Sequence, residues 1–456
     1  MNATKLICTL GPATYNRVPE LIEAGMDVAR INFSHSTESV TRSAFRTIRD
    51  ASAAAGVELA ILADLSGPKV RLGKLPEGQI VLEPGQRLKM NGTAADALPT
   101  TYEHLGRDLE AGDRILIADG AAELRVIEAA ETLVVEVIVG GMVRSGAGVN
   151  VPAERLSLPA ISDRDMSDLA LALELGADYV AQSFVRSATD VEQMAELLAG
   201  RAKLVAKIET KAAVDAFDKI LNHVDAVMVA RGDLGVDLPF EDIPLIQKDL
   251  LMRCLSRGIP AIVATQMLES MTSASRPTRA EASDVANAVL DGADSIMLSG
   301  ETAIGNFPIE AARAAVRIAD VADGRGSPAR PLPRLRRGES EDSAIAQAAV
   351  SLAQNGVVDA IACFTYSGAT ARLISATRPG IPVYTFSPDV AVVRALSLNK
   401  SLQPRTCLLP RDIDSVIGVM ESRLRDEDAV GSGSSILMVG AIGGAGEPFF
   451  KIHRIH

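Results

Sequence analysis

Short apolar runs rich in β-branched residues alternate along the chain with longer stretches whose apolar positions recur every three to four residues. This is the pattern of strand and helix units feeding a parallel sheet. The strand runs are, in order, Lys5 to Leu10, Val28 to Phe33, Leu59 to Leu65, Tyr179 to Phe184, Leu204 to Ile208, Ala226 to Ala230, Ala261 to Thr265 and Ser295 to Leu298. Each precedes an amphipathic segment. Asp190 to Leu198, for example, sets Val191, Met194 and Leu197 or Leu198 on one face. About eight such units is the closure number of a (β/α)8 barrel, so an α/β TIM barrel is the predicted fold.

Between the third and fourth runs the rhythm breaks. From about Val70 to Ala153, short Val-, Ile- and Leu-rich stretches are separated by Gly, Pro, Asn and Asp, which reads as a small all-β lid inserted after strand three. A Gly-, Pro-, Arg- and Glu-rich stretch from Gly324 to Asp342 reads as a linker. Beyond it, runs at Ile361 to Thr365, Val383 to Phe386 and Ile436 to Val439 restart the alternation, as in a C-terminal doubly wound α/β domain. The expected division is a catalytic barrel over 1–69 and 154–323, a lid over 70–153, and a regulatory or interface domain over 343–456.

Composition narrows the partners. With 456 residues, 47% hydrophobic and 23% charged, the chain can bury several cores, and a net charge of −12 argues against nucleic acid. Cys8, Cys254, Cys363 and Cys407 are far apart in sequence and form no CxxC pair, so they read as reduced thiols rather than a zinc site or disulfide framework. The N-terminus has no signal-peptide core and no segment approaches the roughly 18 apolar residues of a membrane span. A cytoplasmic protein with no membrane partner is expected.

Catalytic groups of such barrels stand at the C-terminal ends of the strands. The polar residues there are Arg30, Asn32 and Ser34 after strand two, Asp64 after three, Lys207 and Glu209 after five, Arg231 and Asp233 after six, Thr265 and Gln266 after seven, and Ser299 and Glu301 after eight. Glu209 and Asp233 come from neighbouring strands and suit a hard cation held through oxygen, Mg2+ first and Mn2+ as a substitute. Lys207 and Arg30 would put cations where phosphate charge is stabilised in transit. Gly232 allows close backbone approach and could offer N–H groups to an anionic carboxylate, although a plain turn explains it equally. No P-loop and no complete GxGxxG occur. The residues alone therefore support magnesium-assisted chemistry on an enolate or a phosphate.

Longer motifs go further. Val28-Ala29-Arg30-Ile31-Asn32-Phe33-Ser34-His35, Lys207-Ile208-Glu209, Ala230-Arg231-Gly232-Asp233-Leu234-Gly235, Ala264-Thr265-Gln266-Met267-Leu268-Glu269-Ser270-Met271 and Ser299-Gly300-Glu301-Thr302-Ala303 resemble, in order, the motifs of the pyruvate kinase family. The likeness is to bacterial members without an N-terminal extension. It implies a glycolytic phosphotransferase acting on phosphoenolpyruvate and ADP. By that resemblance Arg30 binds the phosphate, Lys207 stabilises the transferring group, Glu209 and Asp233 hold Mg2+, and Gly232, Asp233 and Thr265 surround the pyruvate moiety. Asn32, His35 and Arg71 match nucleotide-side positions, with a second Mg2+ on ADP, and a homotetramer is implied.

Two departures matter. Where potassium-requiring relatives carry Thr-Lys-Gly-Pro-Glu, this chain has Leu65-Ser66-Gly67-Pro68-Lys69, so the Lys69 ammonium is expected to replace the monovalent cation near Asn32, Ser34 and Asp64 and to remove the need for potassium. The lid segment Ser145-Gly146-Ala147-Gly148-Val149-Asn150 lacks the lysine common before Gly-Val-Asn, with Arg144 as a candidate substitute. The loop holding Thr365, Ser367, Gly368 and Thr370 resembles the family's effector-phosphate cup, although a simple helix cap gives the same pattern, and points to a sugar-phosphate effector. The competing reading is a metal-dependent aldolase or lyase that works through a pyruvate enolate.

Overall fold

A computed structural model describes residues 3–91, 97–118, 120–130, 132–152, 155–324, 341–409, 412–442 and 447–455. The body of the expected linker, and the expected junction of lid and barrel at 153–154, lie outside these residues.

Eight parallel strands close into a barrel: Lys5–Thr9, Val28–Asn32, Ala60–Asp64, Tyr179–Gln182, Lys203–Ile208, Ala226–Ala230, Ala261–Ala264 and Ser295–Leu298. They are buried on both faces, which is why they read as continuous apolar runs. Alternate residues divide between two cores. Ala29, Ile31, Ile61, Ala63, Leu204, Ala206 and Ile208 pack outward under the helices, whereas Val28, Leu62, Tyr179, Val205, Met228, Ile262 and Met297 fill the interior. By the same parity Arg30, Asp64 and Lys207 point inward, one step above the apolar filling.

The N-terminal end of the barrel carries a fourfold device. Asp27, Asp178, Asp225 and Asp294 stand just before strands two, four, six and eight. Each carboxylate accepts the N–H of the first or second residue of the preceding strand, from Leu6, Ile61, Leu204 and Ala261 respectively, at 2.7–3.1 Å. Each also faces a cation: Lys5, Arg49, Lys203 and Arg378.

The inserted region is a five-stranded antiparallel sheet with a two-stranded ribbon and one helical turn at Leu105–Asp108, built round its own apolar core. The C-terminal region is a five-stranded sheet with a core on each face. Two of its strands were not predicted: Leu402–Thr406 and Glu447–Arg454, both at sheet edges. This region also closes the bottom of the barrel. Leu398 is fully buried in the barrel interior, Ser295 Oγ donates to its carbonyl at 2.9 Å, and Arg378 grips Asp294 with two hydrogen bonds of 2.8 and 2.9 Å.

Candidate active site

At the opposite end, inward positions of strands two, three and five bring Arg30, Asp64 and Lys207 together. Arg30 Nε donates to Asp64 Oδ2 at 2.7 Å, and its Nη1 donates to Thr9 Oγ1 at 2.8 Å. Lys207 Nζ lies 3.2 Å from Asp64 Oδ1 and 2.9 Å from Glu209 Oε1. All four residues are at most 9% exposed, so each charge depends on its neighbours. Burial pushes the Asp64 carboxyl upward, but Lys207 and Arg30 outweigh it and hold Asp64 below its ordinary value. Burial likewise disfavours the Lys207 ammonium, and Asp64 and Glu209 more than compensate, so Lys207 stays charged. The Glu209 carboxyl is raised, by burial first and by the charge of Asp233, against the pull of Lys207.

Asp233 sits in the first turn of a short helix, Arg231–Asp237, that starts where strand six ends. Glu209 and Asp233 therefore press like charges together at a polar cavity, and in this structure ammonium groups meet both: Lys207 on Glu209, and Lys69 on Asp233 at 3.2 Å. Two hard carboxylate oxygens in such a position fit a magnesium ion, which commonly takes one or two protein carboxylates and completes its shell with water and substrate oxygens. No cluster of three or more His, Cys, Asp or Glu side chains poised for a metal is found among the described residues.

A cavity of about 150 Å³ is lined by Arg30, Asn32, Ser34, His35, Asp64, Lys69, Arg71, Lys207, Glu209, Asp233 and Thr265, all of them expected from the sequence. Gly232 lines the adjoining, wider cleft together with Lys69, Asp233 and Thr265. Its N–H is already engaged, donating to Thr265 Oγ1 at 2.8 Å, and that hydroxyl donates to the Ala264 carbonyl at 2.6 Å. Thr265 has φ +69°, a conformation costly for a β-branched residue and found where a site enforces it. Arg231 lines that wider cleft rather than the inner cavity, meeting Asp284 at 2.7 Å and the Thr265 carbonyl at 2.8 Å. Glu301 is structural: its oxygens accept the N–H groups of Leu268 and Ser299.

Lys69 shares the cavity with Asn32, Ser34 and Asp64, yet its ion-pair partner is Asp233; Asn32 instead caps the Ser34 N–H at 3.0 Å. Burial lowers the His35 pKa, and Arg71, Arg30, Arg164 and Lys69 push it the same way, so the imidazole is neutral at pH 7. Arg71 reaches the cavity from the lid and donates to the Gly146 carbonyl at 3.1 Å. Arg144 is exposed on the lid ribbon and is not among the cavity's lining residues.

The candidate effector loop is bound up in itself. Thr365 Oγ1 accepts from the Gly368 N–H at 2.8 Å, Ser367 Oγ accepts weakly from Ala369 at 3.4 Å, and Thr370 Oγ1 donates to Asp342 at 2.6 Å. Gly368 has φ +79° and is close to Arg372, where a Cβ would meet the guanidinium at 2.8 Å.

The end of strand four, passed over in the sequence, belongs to the site. Ser183 Oγ accepts from Lys207 at 2.7 Å, and the Phe184 N–H donates to Glu209 Oε2 at 2.8 Å. Strand parity would have found Ser183: it follows the inward residues Tyr179 and Ala181.

Two family models match the chain: "Pyruvate kinase, barrel domain" over residues 1–312 and "Pyruvate kinase, alpha/beta domain" over 343–449. The pyruvate kinase of Corynebacterium efficiens is 41% identical over 434 residues, spanning 92% of this chain and 90% of the relative. That of Mycobacterium tuberculosis is 40% identical over 472 residues, with 99% and 98% covered. Among solved structures, a pyruvate kinase from Cryptosporidium parvum superposes with a TM-score of 0.91 at 33% identity, covering 100% of this chain and 96% of the other.

Proposed function

The chain belongs to the pyruvate kinase family, and on that premise we propose that it moves the phosphoryl group of phosphoenolpyruvate to ADP, leaving an enolate that is protonated to pyruvate. The observation that carries this reading is the convergence of Arg30, Lys207, Glu209, Asp233 and Thr265 on one cavity at the open end of the barrel. The aldolase or lyase reading has no support from the family match and is set aside.

Arg30, its guanidinium fixed by Asp64 and Thr9, binds the phosphate of phosphoenolpyruvate without having to be ordered first. Lys207, held charged by two carboxylates, stabilises the negative charge of the group in transit. Glu209 and Asp233 hold Mg2+, with Mn2+ as a substitute. The bound cation supplies Lewis-acid charge to phosphoryl and enolate oxygens. Thr265, locked by Gly232 and its own backbone, bounds the pyruvate end, while His35, Asn32 and Arg71 form the nucleotide side, where ADP brings a second Mg2+.

Lys69 replaces potassium in this reading, supported by its place among Asn32, Ser34, Asp64 and Asp233. A coupled assay for pyruvate and ATP, run with Mg2+ at constant ionic strength with and without potassium, tests both claims. Turnover in both buffers is expected; turnover only with potassium would remove the role of Lys69, and none in either would remove the activity. A sugar-phosphate effector at Thr365–Thr370 would have to displace the bond from Thr370 to Asp342, and titrating sugar phosphates at low phosphoenolpyruvate tests it. Assembly as a homotetramer is consistent with exposed apolar side chains such as Phe240 at the cleft and Leu245 and Met252 on the helix Ile243–Arg257. A cytoplasmic enzyme agrees with the finding that no helix among the described residues is long and apolar enough to cross a membrane.

A further inference from the structure

We infer that Ser183 is a positioning residue for phosphoryl transfer: it is the neutral anchor that holds the Lys207 ammonium when that group gives up Glu209. The inference rests on the role proposed for Lys207.

An ammonium has three N–H donors and no acceptor. Lys207 spends them on Ser183 Oγ at 2.7 Å, Glu209 Oε1 at 2.9 Å and Asp64 Oδ1 at 3.2 Å, and the shortest contact is the uncharged one. Ser183 is 2% exposed, and its own proton goes to the Leu65 carbonyl at 2.7 Å, with Asp64 Oδ1 a much weaker alternative at 3.5 Å. That bond fixes the hydroxyl rotor, so a lone pair faces Lys207 permanently.

The three anchors differ once substrate enters. Glu209 must turn its charge to a divalent cation, and Asp64 is already shared with Arg30 at 2.7 Å. Ser183 has no competing duty. Being neutral, it holds Nζ in place without neutralising the charge that the transferring group needs.

Several features of the fold fix Ser183 where it stands. Phe184, next in the chain, has φ +55°, and its N–H holds the other oxygen of Glu209 at 2.8 Å. One dipeptide therefore sets both Lys207 and Glu209. The loop after strand three packs directly on it: a Cβ at Gly67 would lie 2.9 Å from Ser183 Cβ and from the Phe184 ring, and the Gly67 N–H is tied to Asp165 at 2.9 Å. Only glycine permits that approach.

The test is a double-mutant cycle of Ser183→Ala and Lys207→Met, read as rates of pyruvate formation at high enzyme concentration, with KM for both substrates and thermal midpoints recorded. Ser183→Ala should lower kcat by about 10- to 100-fold, the cost of a small misplacement of a catalytic group, and leave both KM values near those of the parent in a variant that still folds. On the Lys207→Met background it should change the rate by less than about twofold, since it acts only through the lysine. A parent-like kcat for Ser183→Ala would overturn the inference. So would an equal loss on both backgrounds, because that marks a merely structural residue. If Lys207→Met itself runs at the parent rate, the role of Lys207 falls and this inference with it; a slow Lys207→Met beside a normal Ser183→Ala overturns the inference alone.

Discussion

At the N-terminal end of the barrel, four aspartates each accept an N–H from the first or second residue of a strand and face a cation. At the C-terminal end, carboxylates and cations are just as crowded, but the arrangement is left unfinished. Glu209 and Asp233 repel one another. Phe184, Thr265 and Gln266 are held at positive φ after strands four and seven. Ser66 Oγ and Asn150 Oδ1, which line the site's pockets, and Arg231 Nε are buried without a hydrogen-bond partner. Aspartate pairing at one end supplies stability, although Arg378 and Ser401 there also have positive φ and Asn399 Oδ1 is buried without a partner; the other end keeps unspent charge where substrates arrive.

The largest expected effect that would break this contrast is at Asp294. Its oxygens accept from Arg378 twice, from Ala261 N and from Lys400 N, so it joins strands seven and eight to the C-terminal region. Removing one partner of such a buried pair costs about 3–5 kcal/mol. Asp294→Ala should therefore lower the thermal midpoint strongly while the folded protein keeps most of its turnover. A normal midpoint, or a folded protein without activity, would break the division between the two ends.

A smaller effect should sharpen it. The carboxylate of Asp225 meets Lys203 at 3.0 Å, but both side chains are 41% exposed, so the ion pair itself is worth no more than about 1 kcal/mol. Asp225→Ala should destabilise much less than Asp294→Ala in parallel urea titrations. Equal losses would mean that the accepted strand N–H, rather than burial of the ion pair, carries the stability.

The smallest effect concerns His35. Burial and the surrounding cations hold its folded-state pKa below the ordinary 6.5, so the neutral form predominates at pH 7 and charge builds up as the pH falls. The ratio of KM for ADP between His35→Gln and the parent should stay constant from about pH 7.5 to about 8.5 and change only on the acid side. A ratio that drifts across that range would show an imidazole titrating near neutrality, contrary to its cationic surroundings.

Much of this was legible in sequence, for physical reasons. A parallel strand buried on both faces must be apolar throughout, so Ala226 to Ala230 and Ala261 to Thr265 announce themselves. The edge strand Leu402–Thr406 does not: it carries Gln403, Pro404 and Arg405, which an edge tolerates. Arg30, Lys207 and Glu209 stand out as charges within or beside apolar runs. Ser183 does not, because a small hydroxyl in such a run reads as filler, and only its parity with Tyr179 and Ala181 marks it. The aspartate staples left a faint trace in Gly25-Met26-Asp27, Gly176-Ala177-Asp178 and Gly292-Ala293-Asp294, but a strand's hydropathy does not say which N–H its neighbour's carboxylate will take. Nor could residue types reveal that Lys69 pairs with Asp233 in this structure, or that the Thr365–Thr370 hydroxyls are already engaged.

Lys207 bears most weight in the proposed chemistry, as a buried ammonium that touches both Asp64 and Glu209. The most direct test is the rate at which folded Lys207→Met forms pyruvate and ATP from phosphoenolpyruvate and ADP with Mg2+ present. A loss of about 1,000-fold or more in kcat at a parent-like thermal midpoint is expected for a group that stabilises charge in transit. A folded variant within tenfold of the parent rate would contradict the assignment.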